Sequence, residues 1–383
     1  MDEDYKKRTL EDILMHYGED SGDFLGAVTV PIFQTSLFSR KGGGTPYHYT
    51  RVNNPTLEVA EKKIALMEKG EKGLLFSSGM AALTASAMHV LRPGDHVVCV
   101  KNAYISMAYF FSTYLKERMQ LETSFFDADD FEGYEAAVRD NTALVYLETC
   151  VSNVFKIPDI QRICAHAKQR GITVMVDNTY STPVFCNPIP LGADLVAHSC
   201  SKYIGGHSDL IGGVLVGREE VMKKIQNGER SLFGACMDPH QAWLVTRSLR
   251  TLALRMERHM QNGIAVARYL ESHGKIHKVI HPALESHPQH MFSRTIMSGY
   301  PGVFAFVPEG GQRTGEKLYD ALAIPEKGPS WGGYDTIMNT PGFGMDEETA
   351  RERGMIPGQM RISIGLENPE TLIMDFEQAL AKI

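Results

Sequence analysis

One stretch of the sequence decides the fold and the chemistry: Asp194-Leu195-Val196-Ala197-His198-Ser199-Cys200-Ser201-Lys202-Tyr203-Ile204-Gly205-Gly206-His207-Ser208-Asp209. Its apolar beginning gives way to small hydroxyl residues, and one lysine then follows among glycines and small side chains. No acidic residue lies closer to Lys202 in the sequence than the two aspartates at the ends of the stretch. A lysine held away from carboxylates loses its proton more easily and can act as a nucleophile or as an imine-forming amine.

Two serines flank this lysine. In an extended segment, Ser199 and Ser201 would face one side and Cys200 the other. Hydroxyl groups beside a lysine suit an anion such as phosphate, so we expect Ser199, Ser201 and Lys202 to contribute to an anion site.

A second stretch lies upstream. Gly171-Ile172-Thr173-Val174-Met175-Val176-Asp177 predicts a buried strand whose carboxyl end carries an aspartate. Ligand sites in open α/β sheets gather at such strand ends. An aspartate there can pair with a protonated ring nitrogen, which is what pyridoxal phosphate needs to act as an electron sink. Lys202 and Asp177 together therefore predict a site for pyridoxal phosphate.

The two stretches resemble the cysteine/methionine-metabolism family of pyridoxal-phosphate enzymes. The resemblance is carried by Val176–Pro183 and Ser199–Asp209, and it runs from about Thr29 to the C-terminus. The family includes cystathionine β-lyase, cystathionine γ-synthase, cystathionine γ-lyase and methionine γ-lyase. It implies an α/β fold of the aspartate-aminotransferase-like type, fold type I. The large domain of this fold holds a mainly parallel sheet, and a smaller α+β domain follows at the C-terminus.

The length of 383 residues predicts two domains with a short extension. Strand and helix signals alternate from about residue 73 to residue 217, which indicates a mainly parallel sheet wrapped by helices. We expect an N-terminal arm (residues 1–50), a large domain that binds pyridoxal phosphate (51–245) and a small C-terminal domain (246–383).

Composition excludes several classes of protein. The formal net charge is −7, so the chain lacks the excess of basic residues that is typical of nucleic-acid-binding proteins. No apolar run approaches the length needed to span a membrane, and the first residues lack the apolar segment of a secretory signal. The six cysteines are scattered without metal-ligand spacing, so we expect reduced core cysteines, no metal site and a cytoplasmic protein.

A phosphate-binding turn is predicted near residue 78. Gly73–Ala82 is typical of a strand, a tight turn and a helix, and small residues let backbone N–H groups approach an anion at a helix N-terminus. With Lys202 and Asp177 present, Ser78, Gly79 and Met80 become the expected phosphate contacts, as in the family.

Tyr49 and Arg51 precede a helix that Asn54 caps and Pro55 opens. Taken alone, they are a loop aromatic and a surface charge. The stretch is similar to the family motif Tyr-(Ser/Thr)-Arg-x-x-Asn-Pro-Thr. That resemblance implies that both side chains reach the cofactor phosphate of a neighbouring subunit, where an arginine fork suits an oxyanion. The expected assembly is a homo-oligomer: a dimer with shared active sites, assembled into a tetramer.

Tyr104 follows the strand predicted at residues 97–100. A tyrosine in such a place usually packs, but the resemblance implies that it stacks over the cofactor ring and joins in proton transfer.

The substrate site is predicted in the C-terminal third. Arg361 lies in a half-buried strand, where an arginine needs a partner, and a substrate α-carboxylate is a suitable one. The family uses the arginine of its Arg-hydrophobe-Ser-hydrophobe-Gly motif for this purpose. Ser330 and Trp331 match the segment that closes on the same carboxylate, and Trp331 resembles bacterial cystathionine β-lyase more than the γ-acting relatives.

A long helix is predicted after Asp238, its cap, with Pro239 at its first position. Four arginines on it are expected to form a solvated or ion-paired face: Arg247, Arg250, Arg255 and Arg258.

The chain departs from the family at Glu148-Thr149-Cys150-Val151-Ser152-Asn153, where Glu-(Ser/Thr)-Pro-x-Asn-Pro is usual. When the stretch is aligned with the family motif without a gap, Ser152 takes the place of the asparagine that bonds the cofactor's ring oxygen. Asn153 could slide into that place, or the bond could be lost.

The resemblance implies a carbon–sulfur lyase in which Lys202 holds the cofactor and then removes the α-proton of an amino-acid substrate. Three hypotheses follow. The first is β-elimination from cystathionine or a related thioether, giving pyruvate, ammonia and a thiol such as homocysteine; Ser152 and Trp331 support it. The second is a γ-acting lyase or γ-synthase, supported by the Tyr49–Thr56 motif, although Ser106 differs from the cysteine usual in methionine γ-lyase. The third is a non-catalytic binding protein of the same fold.

Overall fold

The structure is a computed structural model that describes residues 4–41 and 44–383. In these ranges the α-helices are α1 (Leu10–His16), α2 (Pro55–Met67), α3 (Gly79–Val90), α4 (Ile105–Tyr109), α5 (Lys116–Met119), α6 (Phe131–Ala137), α7 (Ile160–Gln169), α8 (Thr182–Phe185), α9 (Glu219–Ile225), α10 (Pro239–Leu249), α11 (Leu252–Ser272), α12 (His290–Ile296), α13 (Gly311–Ala321), α14 (Glu347–Glu352) and α15 (Pro369–Leu380). Short 3₁₀ turns occupy Tyr5–Lys7 and Ser21–Phe24, and π-helical turns occupy Phe110–Leu115, Cys200–Ile204 and Gln226–Arg230.

The strands of the same ranges are β1 (Lys72–Phe76), β2 (His96–Val100), β3 (Glu122–Phe126), β4 (Thr142–Glu148), β5 (Thr173–Asp177), β6 (Leu195–Ser199), β7 (Gly213–Gly217), β8 (Ile276–Ile280), β9 (Val303–Pro308), β10 (Glu326–Lys327), β11 (Ile337–Asn339) and β12 (Met360–Ser363).

Seven strands form one sheet in the order β1-β7-β6-β5-β4-β2-β3. The pairs from β6 through β5, β4 and β2 to β3 are parallel, and only β7 runs antiparallel to its neighbours β6 and β1. The expectation of a mainly parallel sheet is therefore confirmed. Because β4, β5 and β6 are adjacent and parallel, their carboxyl ends lie side by side at one edge of the sheet.

The other five strands form a second sheet in the order β10-β11-β12-β9-β8. Its pairs are antiparallel except for β10 with β11. Helix α15 packs against α11 and α13, and these helices, with β8 and β9, close the apolar cluster of this sheet. This part has the α+β character expected for the C-terminal third.

The seven-stranded sheet is covered on both faces, and its strand sequences show why. Every residue of β2 and β7 is buried, and β4 and β5 are nearly continuous apolar runs, as parallel strands between two helical layers must be. Helix α7 places Ile160, Ile163, Cys164 and Ala167 on one buried face, as their 3.6-residue spacing predicts. Each large apolar side chain buried in this way contributes about 1.5–3 kcal/mol.

Two predicted helix starts are confirmed. The Asn54 side chain accepts a hydrogen bond from the Thr56 N–H, and Pro55 is the first residue of α2. The Asp238 side chain likewise accepts from the His240 N–H, with Pro239 as the first residue of α10. Such caps each stabilise a helix by about 1 kcal/mol.

All six cysteines are free, five of them buried and Cys236 half-buried, which confirms reduced core cysteines. Among the described residues, no helix is both long and apolar enough to cross a bilayer, and no cluster of His, Cys, Asp and Glu is arranged to hold a metal ion. The domain boundaries at residues 50 and 245 stay predictions; the predicted arm includes residues 1–3 and 42–43, which lie outside the described residues.

Candidate active site

Lys202 lies in a tight turn directly after β6. Residues Cys200–Ile204 form a π-helical turn in which Lys202 itself has non-helical backbone angles, φ −102° and ψ −137°. Its Nζ donates a hydrogen bond of 2.8 Å to the Ser330 Oγ and lies 5.4 Å from the centre of the Trp331 ring. Burial, together with the positive charge of Arg361, lowers the pKa of Lys202 to about 8. The amine is therefore neutral far more often than that of an exposed lysine.

The turn contradicts the extended arrangement considered for Ser199 and Ser201. Ser199 ends the strand, whereas Ser201 belongs to the helical turn, so the two do not alternate along one strand face. The Ser199 N–H donates to the Thr179 Oγ1 at 2.8 Å, and the Ser201 Oγ accepts from the Gly212 N–H at 3.2 Å. The turn forms because the chain must reverse from β6 into the antiparallel strand β7.

Arg255 holds the far end of this turn. Its guanidinium donates to the carbonyl oxygens of Tyr203 at 2.6 Å and Ile204 at 3.4 Å, and also to that of Ser248 at 2.9 Å. Gly206 has φ +67°, and a Cβ there would lie 1.9 Å from the Arg255 Nη1, so only glycine fits. The prediction of one long helix with a solvated or ion-paired arginine face is wrong in two respects: the chain forms two helices, α10 and α11, and Arg255 on α11 is buried. Arg250, between the two helices, does pair with Glu19.

Asp177 ends β5 beside the lysine turn. Its Oδ1 accepts hydrogen bonds from the Thr179 N–H at 2.9 Å and the Thr179 Oγ1–H at 2.5 Å. No described residue donates a hydrogen bond to Oδ2. Burial raises the pKa of Asp177 above its usual value, and the bonds from Thr179 and the charge of His198 oppose that rise. One oxygen of this half-buried carboxyl group is thus left for a partner that the described residues do not supply.

The predicted phosphate turn lies against the end of β6. Ser78 is the N-cap of α3, and its Oγ accepts from the Ala81 N–H at 3.0 Å. A Cβ on Gly79 would lie 2.9 Å from the Ser199 Cβ, and one on Gly213 would lie 2.2 Å from the Ser78 carbonyl oxygen. The glycines therefore permit a close approach between the α3 N-terminus and β6. Ser78 and Gly79 thus meet Ser199 at the N-terminus of α3, where a helix start favours an anion, and Met80 is the next residue of that helix.

Tyr104 lies at the start of α4 with its side chain 45% exposed. Its backbone N–H donates to the Glu148 Oε1 at 2.5 Å. Glu148 ends β4 and is the register partner of Asp177 on β5, so the two carboxyl groups extend from the same face of the sheet. Burial and the nearby Asp177 raise the pKa of Glu148 to about 8. The sequence analysis gave Glu148 no role, although it ends its strand just as Asp177 does.

Arg361 lies on β12 and is 6% exposed. Its Nη2 donates to the Pro329 carbonyl oxygen at 2.6 Å and to that of Ser330 at 3.5 Å. Its Nη1 donates to the Asn153 Oδ1 at 3.3 Å. Burial lowers the pKa of this guanidinium to about 10. Among the described residues no carboxylate pairs with Arg361, so a buried cation is held ready for an anion.

Trp331 links this arginine segment to the lysine turn. Its ring centre is 5.6 Å from that of Tyr203, and Ser330 beside it accepts from Lys202. The Gly332 N–H donates to the Ser363 Oγ at 3.1 Å, which fixes the segment on β12. The structure therefore brings Lys202, Ser330, Trp331 and Arg361 into one connected site.

The departure from the usual family motif has a specific geometry. Asn153 has φ +67°, a left-handed conformation that asparagine tolerates better than most residues, and its side chain contacts Arg361. The Ser152 N–H donates to the Glu148 Oε2 at 3.2 Å. Of the two residues, Asn153 is the one whose side chain reaches Arg361.

Tyr49 and Arg51 lie apart from this group. The Arg51 Nη1 donates to the Ser231 carbonyl oxygen at 3.0 Å, and its guanidinium is 5.6 Å from the Tyr49 ring centre. No hydrogen bond or ring contact in the described residues joins either side chain to Lys202, Asp177 or Arg361. Both are exposed, so within one chain they do not complete the site.

Comparison with known proteins gives a consistent result. The model of the family described as "Cys/Met metabolism PLP-dependent enzyme" matches residues 11–381. The chain is 35% identical to cystathionine gamma-lyase of Bacillus subtilis, over 99% of this chain and 100% of that protein. It is 37% identical to L-methionine gamma-lyase of Porphyromonas gingivalis over 93% of each chain, and 34% identical to cystathionine beta-lyase of Coxiella burnetii over 98% of each. The crystal structure of metB from Corynebacterium glutamicum superimposes with a TM-score of 0.92 at 31% identity, covering 98% of both chains.

Proposed function

Because the chain belongs to the Cys/Met metabolism family of pyridoxal-phosphate-dependent enzymes, we propose that it cleaves carbon–sulfur bonds of cystathionine or a related sulfur amino acid by β-elimination. The products would be pyruvate, ammonia and a thiol such as homocysteine. The cofactor, pyridoxal phosphate, follows from the family, and the fold is that of fold type I.

The residues present fit this cofactor. Lys202 supplies an amine whose pKa is lowered to about 8, as an imine-forming lysine requires. Asp177 leaves its Oδ2 without a donor from the described residues, which suits a protonated ring nitrogen. Ser78 and Gly79 begin a helix against Ser199, where a phosphate can receive backbone N–H groups. When bound, the cofactor supplies an electron sink for the charge left at the substrate α-carbon.

The side chains of the chain then have separate tasks. Arg361, with Asn153 and Ser330 beside it, holds the substrate carboxylate, which directs the α-proton toward the lysine turn. The neutral Lys202 amine removes that proton as general base. With the cofactor bound, Asp177 would keep a proton on its ring nitrogen. Tyr104 would pack against the ring and, with Lys202, would assist departure of the thiolate.

One observation supports β-elimination over γ-elimination or γ-replacement. The Lys202 Nζ is held between the Ser330 Oγ at 2.8 Å and the Trp331 ring at 5.4 Å, which restricts how far the amine can swing. β-Elimination needs a base at the α-carbon alone, whereas γ-chemistry needs a second proton removed at the β-carbon. A restrained amine beside a bulky indole favours the reaction with one proton removal.

The second candidate is a γ-acting enzyme. It is favoured by the printed names of several relatives, among them the cystathionine gamma-lyase and L-methionine gamma-lyases. Product analysis with cystathionine separates the two reactions. Pyruvate with homocysteine supports β-elimination, and 2-oxobutyrate with cysteine overturns it in favour of γ-elimination. Methionine and homocysteine tested in the same way show whether a shorter γ-substrate is preferred.

We also propose that two copies of the chain complete each other's sites, within a tetramer. Tyr49 and Arg51 are exposed and lie apart from the rest of their own site. Exposed apolar residues lie along a groove of about 780 Å³: Ile105 (74% exposed), Tyr109 (59%), Tyr114 (45%) and Phe233 (61%). An exposed apolar surface of this kind is typical of an interface between copies.

Complementation tests the shared site. Co-assembly of Lys202→Ala chains with Arg51→Ala chains places one intact lysine and one intact arginine in a single site of each mixed dimer. Random pairing should then restore about a quarter of the wild-type activity from two inactive parents. If the mixture stays inactive although mixed dimers form, Arg51 acts within its own chain or not at all.

A cytoplasmic location is part of the same proposal, and the six free cysteines support it because they suit a reducing compartment.

A further inference from the structure

Glu148 is a buried carboxyl group in the site, beside the half-buried Asp177. It is 6% exposed at the end of β4, and no lysine, arginine or histidine forms an ion pair with it among the described residues. A buried carboxyl group without a cation costs stability, and an apolar residue of similar size would be tolerated better. Its presence therefore calls for an explanation other than the stability of the sheet.

The contacts of Glu148 supply that explanation. Its Oε1 accepts from the Tyr104 N–H at 2.5 Å and from the Tyr146 hydroxyl at 3.5 Å. Its Oε2 accepts from the Ser152 N–H at 3.2 Å. The first of these hydrogen bonds fixes the start of α4, from which the Tyr104 ring extends. The hydrogen bond from the Ser152 N–H fixes the residue before Asn153, whose side chain contacts Arg361.

We propose that Glu148 is a positioning residue that sets two parts of the site at once, the Tyr104 ring through Oε1 and the Asn153–Arg361 pair through Oε2. This inference rests on the proposed function for its kinetic consequences and on geometry alone for its structural ones. Glu148 does not touch the reacting atoms; it acts through the two backbone N–H groups that it receives.

The arrangement requires a carboxyl group of this length. Above its pKa of about 8, Glu148 is ionised and offers two acceptor oxygens to the two N–H donors, whereas a glutamine side chain has only one. In Glu148→Gln the amide oxygen should stay at the Oε1 position, because Tyr104 and Tyr146 both donate there. The amide NH₂ group would then face the Ser152 N–H, donor against donor. Glu148→Ala removes both acceptors.

Hydrogen exchange of the apoprotein at about pH 9, where Glu148 is ionised, followed by mass spectrometry, tests the geometry without any catalysis. In Glu148→Gln, peptides that cover residues 149–155 should exchange at least tenfold faster while those that cover 101–108 keep their protection, because exchange follows local opening. In Glu148→Ala both regions should exchange faster. Tyr146→Phe is the matched control, since it removes a donor to Glu148 but neither backbone N–H, and its exchange should equal that of the wild type.

The kinetics of the loaded enzyme give the second readout. Glu148→Gln should raise KM by about threefold, less than loss of the Asn153 side chain itself, with a smaller change in kcat, because one hydrogen bond behind the Asn153–Arg361 pair is lost. Glu148→Ala should also lower kcat, because the Tyr104 ring is released. Wild-type exchange in both regions of the Gln variant overturns the inference whatever the activity, and if the Ala variant does not fold the Gln variant still decides. If exchange changes as expected but the substrate proves to be of another class, the proposed function fails and the positioning role stands.

Discussion

The Nζ of Lys202 donates a 2.8 Å hydrogen bond to the Oγ of Ser330, and this contact joins the lysine turn after β6 to the segment before β11. The same segment is held by Arg361 through the carbonyl oxygen of Pro329. The segment Pro329–Ser330 therefore contacts both Lys202, the proposed base, and Arg361, the proposed carboxylate anchor.

Replacing Lys202 by alanine should abolish turnover, because the change removes the amine that attaches the cofactor and the base that takes the α-proton. The activity should fall by at least a factor of about 10³. Borohydride reduction followed by peptide mapping should place the pyridoxyl label on Lys202 in the wild type and nowhere in the variant. Lys223→Ala, on the exposed surface of α9, is the control and should keep full activity. Near-wild-type turnover of Lys202→Ala would refute the assignment.

Covalent uptake of pyridoxal phosphate by the apoprotein should accelerate with a midpoint near pH 8. Burial and the charge of Arg361 lower the pKa of Lys202 to about 8, so the neutral amine accumulates above that pH. Stopped-flow absorbance between pH 6.5 and 10 measures the profile. In Arg361→Gln the neighbouring charge is lost, and the midpoint should move to higher pH. A midpoint that does not move would show that burial alone sets the reactivity of the lysine.

Arg361→Ala should mainly raise KM. The variant loses a charge-assisted hydrogen bond to the substrate carboxylate, worth about 1.5–3 kcal/mol, which corresponds to roughly 10- to 100-fold. Steady-state kinetics with cystathionine check this, and Arg294→Ala on α12 serves as the control. Unchanged substrate affinity in Arg361→Ala would count against the carboxylate role.

Asn153→Ala should raise KM by about threefold to tenfold, because it removes the Oδ1 that orients Arg361, a contact worth about 0.5–1.5 kcal/mol. Ser152→Ala is the matched control: its backbone N–H still donates to Glu148, so KM should stay near the wild-type value. Absorbance spectra of the two loaded variants show which substitution changes the environment of the cofactor. If Ser152→Ala changes KM and the spectrum more than Asn153→Ala does, Ser152 has taken the place of the missing asparagine.

The protein should lose stability as the pH falls below 6.5. Burial lowers the pKa of His281 to about 3 and those of His259 and His287 to about 4. In the unfolded chain these rings take up protons near pH 6.5, so the unfolded state binds more protons and the free energy of unfolding falls with pH. Below the pH at which these rings are fully protonated in the unfolded chain, each histidine lowers the free energy of unfolding by about 1.4 kcal/mol for every pH unit.

Urea unfolding between pH 7.5 and 5 measures this slope. In His281→Asn the side-chain oxygen can replace the Nδ1 that accepts from the Ala283 N–H at 3.0 Å, and the slope should fall by about 1.4 kcal/mol per pH unit. His240→Asn, at an exposed position, should leave the slope unchanged. Equal slopes in all three proteins would mean that other groups control the acid stability.

The sequence predicted the main architecture and much of the site because those features follow from local patterns. The apolar runs that end at Asp177 and Ser199 gave two adjacent strands, and parallel strand ends must meet at one edge of a sheet. Lys202 and Arg361 stood out because each is a cation in an apolar context.

What could not be predicted depends on contacts between distant parts of the chain. Arg255 binds carbonyl oxygens about fifty positions earlier in the sequence, and carbonyl acceptors leave no mark in a sequence. The π-helical turn at Lys202 comes from the reversal into β7, which no local propensity specifies. Glu148 was overlooked because its partners are backbone N–H groups, one of them 44 positions away.

The cysteines of this chain have a practical consequence. With five thiols buried and only Cys236 half-buried, the folded protein is close to a thiol-free background for site-directed labelling. A cysteine introduced at Tyr334, whose side chain is 53% exposed beside the Ser330 segment, should react with maleimide dyes ahead of the native ones. Fluorescence from such a dye would report in real time how that segment responds when an amino acid binds.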